Sequence, residues 1–248
     1  MAVRTQTLSE QVAWACRILA LEGYADLTLG HVSARIPGED TAYIKRKGLG
    51  LDEVEPGDVI PLHLATDDAY DSPEMHLEAA LHTGVYRLRP DVGAVIHGHP
   101  PYATALGATQ AKLELLTHDA VLFHDGIAVF EDTPELIQGA DQGRAVATCL
   151  GSRRAVIMRN HGVLVVGKDV PWAVLAAVTL ERAVRMQWIA RALGPLQAMS
   201  RDVARDMHPD KYSNRLVEEY WEAWIRKLRR ADLDYGMPQE PLAVSYEP

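Results

Sequence analysis

Hydrophobic and polar positions alternate along this chain in two rhythms, and the switches between them mark the elements. Thr7-Leu8-Ser9-Glu10 is a capping-box pattern and opens a helix predicted to run to about Gly23. Short β-branched stretches at Val32 to Ile36 and Ala42 to Lys45 read as strands separated by turn residues. Ser72-Pro73-Glu74 predicts a second helix, to about Arg87, because it offers a side-chain cap, a proline at the first helical position and an acid in the first turn. Asp91 to His99 and Val121 to Val129 read as strands. Thr133-Pro134-Glu135 repeats the cap–proline–acid device ahead of a helix reaching Leu150. Ala155 to Met158 and Val163 to Val166 are short apolar strands flanking Asn160-His161-Gly162. Helices are predicted over Pro171 to Leu193 and Asn214 to Arg230.

Several adjacent strands are joined too closely for a parallel crossover. The pattern therefore predicts an α/β fold with a mixed or antiparallel sheet layered between helices rather than a doubly wound parallel sheet. No low-complexity linker divides the chain, so residues 1–248 read as one domain with a C-terminal helix and tail from about 210 to 248. Neither a Gly-x-Gly-x-x-Gly turn nor a Walker-type lysine loop is present, which leaves no nucleotide fingerprint.

Composition narrows the function classes. A formal charge of −9 argues against a nucleic-acid partner, which calls for a concentrated basic surface. The one basic cluster, Arg226, Lys227, Arg229 and Arg230, suits the end of a helix facing its own dipole. No apolar run approaches the ~20 residues a bilayer requires, and the opening residues lack the order of a secretory signal. The two cysteines, Cys16 and Cys149, sit in unrelated helical segments and read as reduced thiols, so the expected location is cytoplasmic.

The histidines carry the candidate chemistry. His97 and His99, in Val95-Ile96-His97-Gly98-His99-Pro100, lie two apart, and a strand points such residues to one face. Two imidazoles on one face can share a cation at about 2.0–2.1 Å each. Gly98 faces the other way and leaves room for close packing; Pro100 ends the ladder, placing the pair at a strand end. His161, in a turn between two apolar strands, is the third candidate ligand. Glu74, placed by the pattern near a helix N-terminus, is the candidate carboxylate, kept ionised by the dipole and by a cation. Three histidines and a carboxylate leave coordination room for a substrate oxygen, as catalytic rather than structural sites do.

Taken in order, these segments resemble the class II aldolase/adducin-like family: Gly30-His31-Val32-Ser33-Ala34-Arg35, Lys47-Gly48-Leu49, Pro73-Glu74-Met75-His76-Leu77-Glu78, Arg89-Pro90-Asp91-Val92-Gly93-Ala94-Val95-Ile96-His97-Gly98-His99-Pro100 and Arg159-Asn160-His161-Gly162-Val163. The resemblance covers about residues 8–195. It implies an α/β fold of three layers, α/β/α, with a mixed central sheet, metal ligands at His97, His99 and His161, an acid/base glutamate at Glu74, and a homotetramer with sites at subunit interfaces. The family's sugar-phosphate aldolases cradle phosphate at positions that fall here on His31, on Lys47 and Gly48, and on Ser72, which become the candidate substrate-binding residues. Pro73 has neither a hydroxyl nor an N–H to offer an anion. The histidine that often follows the family glutamate by four residues is, counted from Glu74, Glu78. His118 lies where related enzymes place a residue pointing toward the site and is a second catalytic candidate.

These departures make the chain resemble the family's decarboxylases of hydroxylated aromatic or oxo-dienoic acids more than its aldolases. The expectation is a metal-dependent carbon–carbon lyase acting on a small carboxylic acid, with Glu74 moving the proton and a cation of the Lys45–Lys47 run holding a second carboxylate. The alternatives are an aldolase or epimerase of sugar phosphates, a non-catalytic adducin-like interaction module, and an oxygenase on the same scaffold. Three imidazoles favour zinc; an added carboxylate and an oxygen-rich substrate suit manganese or magnesium, and the donor set also accepts cobalt or iron.

Overall fold

The structure, a computed structural model, describes residues 4–67, 70, 72–231, 233–237 and 242–243. The chain runs β1 (Arg4–Thr5), α1 (Leu8–Leu19), β2 (His31–Ala34), β3 (Thr41–Lys45), β4 (Val59–His63), α2 (Ala79–Leu88), β5 (Ala94–Gly98), α3 (Pro101–Gly107), β6 (Ala128–Phe130), α4 (Ala140–Leu150), β7 (Ala155–Met158), β8 (Gly162–Gly167), α5 (Val170–Leu193), α6 (Arg201–Lys211), α7 (Asn214–Arg230) and β9 (Leu242–Ala243). Seven strands form one sheet in the order β4-β3-β2-β5-β8-β7-β6, and β1 pairs with β9 apart from it. Within the large sheet only β6–β7 is parallel, so the sheet is mixed.

Helices cover both faces, which is why β5, β7 and β8 are buried along their whole length. Alternate residues feed two cores. Ile96, Val163 and Val165 pack with α1, α5 and α7, whereas Val95, Leu164 and Val166 pack with α2 and α4. The capping box at Thr7 is formed: the Glu10 N–H donates to Thr7 Oγ1 and the Thr7 N–H to Glu10 Oε2. α7 turns Val217, Trp221, Ile225 and Leu228 inward at helical spacing. A buried tryptophan such as Trp221 is worth about 3–5 kcal/mol against alanine. Cys16 and Cys149 are both free thiols. Among the described residues no helix is long and apolar enough to cross a membrane.

Three sequence expectations about elements do not hold. Ser72-Pro73-Glu74 opens a turn, with the Met75 N–H donating to the Ser72 carbonyl, and α2 starts only at Ala79. The Thr133-Pro134-Glu135 device likewise closes on itself, the Glu135 N–H donating to Thr133 Oγ1, and α4 begins at Ala140. The stretch predicted as a strand from Val121 opens as a short 3-10 turn, Ala120–Phe123, ahead of the three-residue β6.

α2 and α4 cross at Gly84 and Gly143. A Cβ on Gly143 would collide with the Ala80 carbonyl, and one on Gly84 with the Gly143 carbonyl. Only glycine lets the two backbones meet this closely. The contact holds the N-terminus of α2, where Glu78 stands, beside the segment leading into α4, where Ile137 stands.

Candidate active site

The central position of β5 decides where the site lies. Its end carries His97, flanked across the β2 register by His31 and across the β8 register by Leu164. His97 shares a face with Val95, toward α2 and α4; Gly98 turns to the other face, where a Cβ would press on the Tyr24 ring at 3.2 Å. The β7–β8 turn brings in His161. Asn160 takes a left-handed conformation there (φ 56°), which asparagine tolerates. Gly162 leaves space for the neighbouring imidazole: a Cβ would lie 2.5 Å from His99 Cδ2.

His97, His99 and His161 converge, with one ligand nitrogen from each lying within 4.8 Å of the others. Their ring centroids are 5.1, 5.1 and 5.6 Å apart. His97 Nδ1 is 3.0 Å from the Val163 carbonyl, an acceptor only, so Nδ1–H donates and Nε2 keeps its lone pair. His99 Nδ1–H donates to Asp26 Oδ2 at 2.9 Å, leaving its Nε2 free in the same way. This carboxylate–histidine arrangement is the one that orients metal-bound imidazoles. His97 Nε2 and both His161 nitrogens are buried and make no well-aligned hydrogen bond among the described residues, the Glu78 carboxylate being an ion-pair neighbour only. Burial, followed by the opposing pull of Glu78, sets the His97 titration, and the net result lies below the ordinary histidine range. These residues fit a divalent cation: convergent imidazole nitrogens without well-aligned hydrogen-bond partners are otherwise costly to bury.

The carboxylate beside them is Glu78, not Glu74. Glu78 Oε2 lies 3.3 Å from His97 Nε2, and Oε1 lies 3.4 Å from His161 Nε2. Oε1 also accepts the Ile137 N–H at 2.9 Å, and Glu78 is at the N-terminal cap of α2. Burial pushes its carboxyl up, but the facing histidines and the Ile137 amide outweigh that and hold it well below the usual range. Glu74 is exposed in the preceding turn, where its carbonyl accepts the Lys47 N–H at 2.7 Å. The displacement is four residues. Counted from Glu78, the histidine four residues on is His82, so the glutamate–histidine pair expected of the family is intact one helical turn later. A spacing of four on one helix face was the signal available in the sequence.

The other expected residues divide. His31, Lys47, His97, His99 and Glu78 line one cavity of about 150 Å³, together with Thr28, Leu29, Gly30, His76, Leu77 and Leu136. Leu29, Leu77 and Leu136 are 50%, 51% and 47% exposed and rim its mouth. Gly48 adopts φ +93° beside Lys47, as the turn requires. Ser72 is exposed and does not line the cavity. His118 is exposed and also lies outside it; its carbonyl accepts the Tyr212 hydroxyl at 3.0 Å, which fastens α6 rather than the site. Of the basic run, Arg46 pairs with Asp58 at 2.8 Å, and Lys45 is fully buried, donating to His76 Nε2 at 3.2 Å and the Thr28 carbonyl at 3.3 Å. Burial and the Lys45 charge hold His76 neutral, with a pKa of about 3. Lys47 alone of the three lines the cavity. Larger cavities of about 440 and 480 Å³ lie elsewhere, and neither contains a cluster of ligating side chains among the described residues.

The model of the Class II Aldolase and Adducin N-terminal domain family matches residues 10–188. The chain belongs to that family. Its fold matches an aldolase II superfamily protein from Pseudomonas syringae, with a TM-score of 0.79, 26% identity, and 92% and 94% of the two chains covered. The L-fuculose 1-phosphate aldolase from Glaciozyma antarctica PI12 shares the fold at a TM-score of 0.78 and 21% identity, over 93% and 92% of the chains. Among characterised sequences, the 3,4-dihydroxyphthalate decarboxylase of Rhodococcus jostii is 32% identical over 192 residues, 71% of this chain and 76% of that one. The decarboxylase NovR of Streptomyces niveus is 36% identical over 125 residues, 50% of this chain and only 46% of its own, so that likeness spans about half of the relative.

Proposed function

We propose that this protein is a divalent-metal-dependent lyase that decarboxylates a hydroxylated aromatic carboxylic acid. The observation that carries the reading is the convergence of His97, His99 and His161 around orphaned nitrogens, with the Glu78 carboxylate against two of them. Its likeness to decarboxylases of dihydroxyphthalate supports the substrate class, as do the leucine-rimmed mouth, which suits a flat ring, and Lys47, which suits a carboxylate.

His97, His99 and His161 would hold the cation, zinc or manganese by donor chemistry. When bound, it supplies Lewis-acid stabilisation of the electron pair left when the carbon–carbon bond breaks. The remaining work falls to side chains. Asp26 and the Val163 carbonyl fix the His99 and His97 tautomers. Lys47 orients the acid at the cavity mouth, and the leucines exclude water around the ring. Glu78, ionised, takes the proton of the substrate hydroxyl; carbon dioxide leaves; the same proton returns to the ring carbon that lost it. Part of this reading is assembly as a homotetramer, which sedimentation of the purified protein checks.

The deciding experiment gives the zinc- and manganese-loaded enzyme 3,4-dihydroxyphthalate in one arm and L-fuculose 1-phosphate in the other. Carbon dioxide from the first arm is the expected result. Aldehyde from the second arm alone would make the protein an aldolase.

A further inference from the structure

Behind the site a buried chain of hydrogen bonds leads away from His31. His31 Nδ1 is 2.6 Å from His82 Nε2, His82 Nδ1 is 2.6 Å from Ser33 Oγ, and Ser33 Oγ is 2.8 Å from the Tyr86 hydroxyl. His31, Ser33, His82 and Tyr86 are 3% or less exposed. β2 supplies His31 and Ser33, two apart on one face, while α2 supplies His82 and Tyr86, four apart on one face. The period of two on the strand therefore meets the period of four on the helix.

Each link carries one proton, and the chain can be ordered in two ways. If Tyr86 donates to Ser33, Ser33 donates to His82 Nδ1, and His82 Nε2–H donates to His31 Nδ1. His31 is then left with its proton on Nε2. In the reverse order the Tyr86 hydroxyl proton has no acceptor among the described residues, in a place water does not reach, which is costly. The Arg35 guanidinium also lies 4.6 Å over the Tyr86 ring, and its positive charge suits a hydroxyl that gives its own proton to Ser33.

We propose that the Tyr86–Ser33–His82 chain locks His31 as the Nε2–H tautomer, so that His31 presents a hydrogen-bond donor to a substrate oxygen and not a lone pair to the metal. The ring lines the cavity, and a His31 nitrogen lies within 4.8 Å of His97 and Glu78 ligand atoms, so by distance alone it could pass for a further ligand. The order of the chain removes it from that role. A neutral N–H beside the cation is placed to hold the oxygen on which charge builds as the carbon–carbon bond breaks. Ser33, His82 and Tyr86 are then positioning residues, acting through His31. This assignment rests on the lyase reading for its substrate, but not for its tautomer.

The test uses zinc-loaded protein labelled with ¹⁵N-histidine, whose long-range ¹H–¹⁵N correlations separate Nδ1–H from Nε2–H rings. The expected result is Nε2–H for His31 and His82, with the His31 Nε2 proton moving downfield on addition of 3,4-dihydroxybenzoate. Ser33→Ala should give His31 a mixture of tautomers and lower kcat about tenfold, with zinc content unchanged. His31→Gln, which keeps an N–H donor, should retain zinc and more activity than His31→Ala. An Nδ1–H His31 in the unaltered protein, no response to 3,4-dihydroxybenzoate, or loss of zinc in His31→Gln would overturn the proposal. Failure to release carbon dioxide while His31 is Nε2–H and responds to the probe counts against the lyase reading and supports the tautomer.

Discussion

Glu78 Oε1 stands 3.4 Å from His161 Nε2, although the two residues lie 83 positions apart in the sequence and meet only where the cap of α2 faces the β7–β8 turn. Glu78→Gln keeps the shape and the Ile137 contact but removes the base. The rate of carbon dioxide release should fall about 10²-fold or more, on the scale of general acid–base catalysis, with metal content unchanged. Glu74→Gln should leave the rate near that of the unaltered enzyme. Equal losses in the two variants would remove Glu78 from the mechanism.

Asp26 does not itself line the cavity, yet it orients His99, which does. Asp26→Asn should weaken metal affinity about 10–100-fold, the usual cost of losing a carboxylate behind a ligating histidine. Competition with a chelator of known affinity reads this directly. His97→Ala should leave the purified protein without stoichiometric metal, whereas His208→Ala, on α6, should not.

Lys47 reaches the cavity mouth from an exposed turn. Lys47→Met should raise KM for a dicarboxylate about tenfold, consistent with loss of one charge-assisted hydrogen bond, and change kcat less. Steady-state kinetics with a dicarboxylate and a monocarboxylate separates the roles, because only the former should suffer if Lys47 holds the second carboxylate.

Gly143 is where α4 meets α2. Gly143→Ala forces the helices apart and should cost about 1–3 kcal/mol of stability, visible as a lower Tm by calorimetry. Activity should fall as well, because the same crossing sets Ile137 against Glu78. An unchanged Tm would show that the crossing yields freely.

Local pattern was a good guide where an element's own residues decide it. The Thr7 capping box, β7, β8 and the last helix follow from contacts within a few residues, and they stand where the pattern places them. It failed where a local device competes with a tertiary contact. Cap–proline–acid triplets at Ser72 and Thr133 satisfy a turn as readily as a helix, and the chain uses them as turns. β4 was hidden by Pro61, which a strand tolerates because β4 is the sheet edge and that N–H is not needed.

From sequence alone came the mixed α/β/α fold and the three histidines, because period two on a strand and a turn between apolar strands are written in neighbouring residues. Which carboxylate joins them, which cation faces the cavity and which histidine backs the site were settled only by the folded chain. Those choices depend on where α2 starts and how closely it crosses α4, and that closeness is decided by backbone contact between residues about sixty positions apart. No local spacing records it.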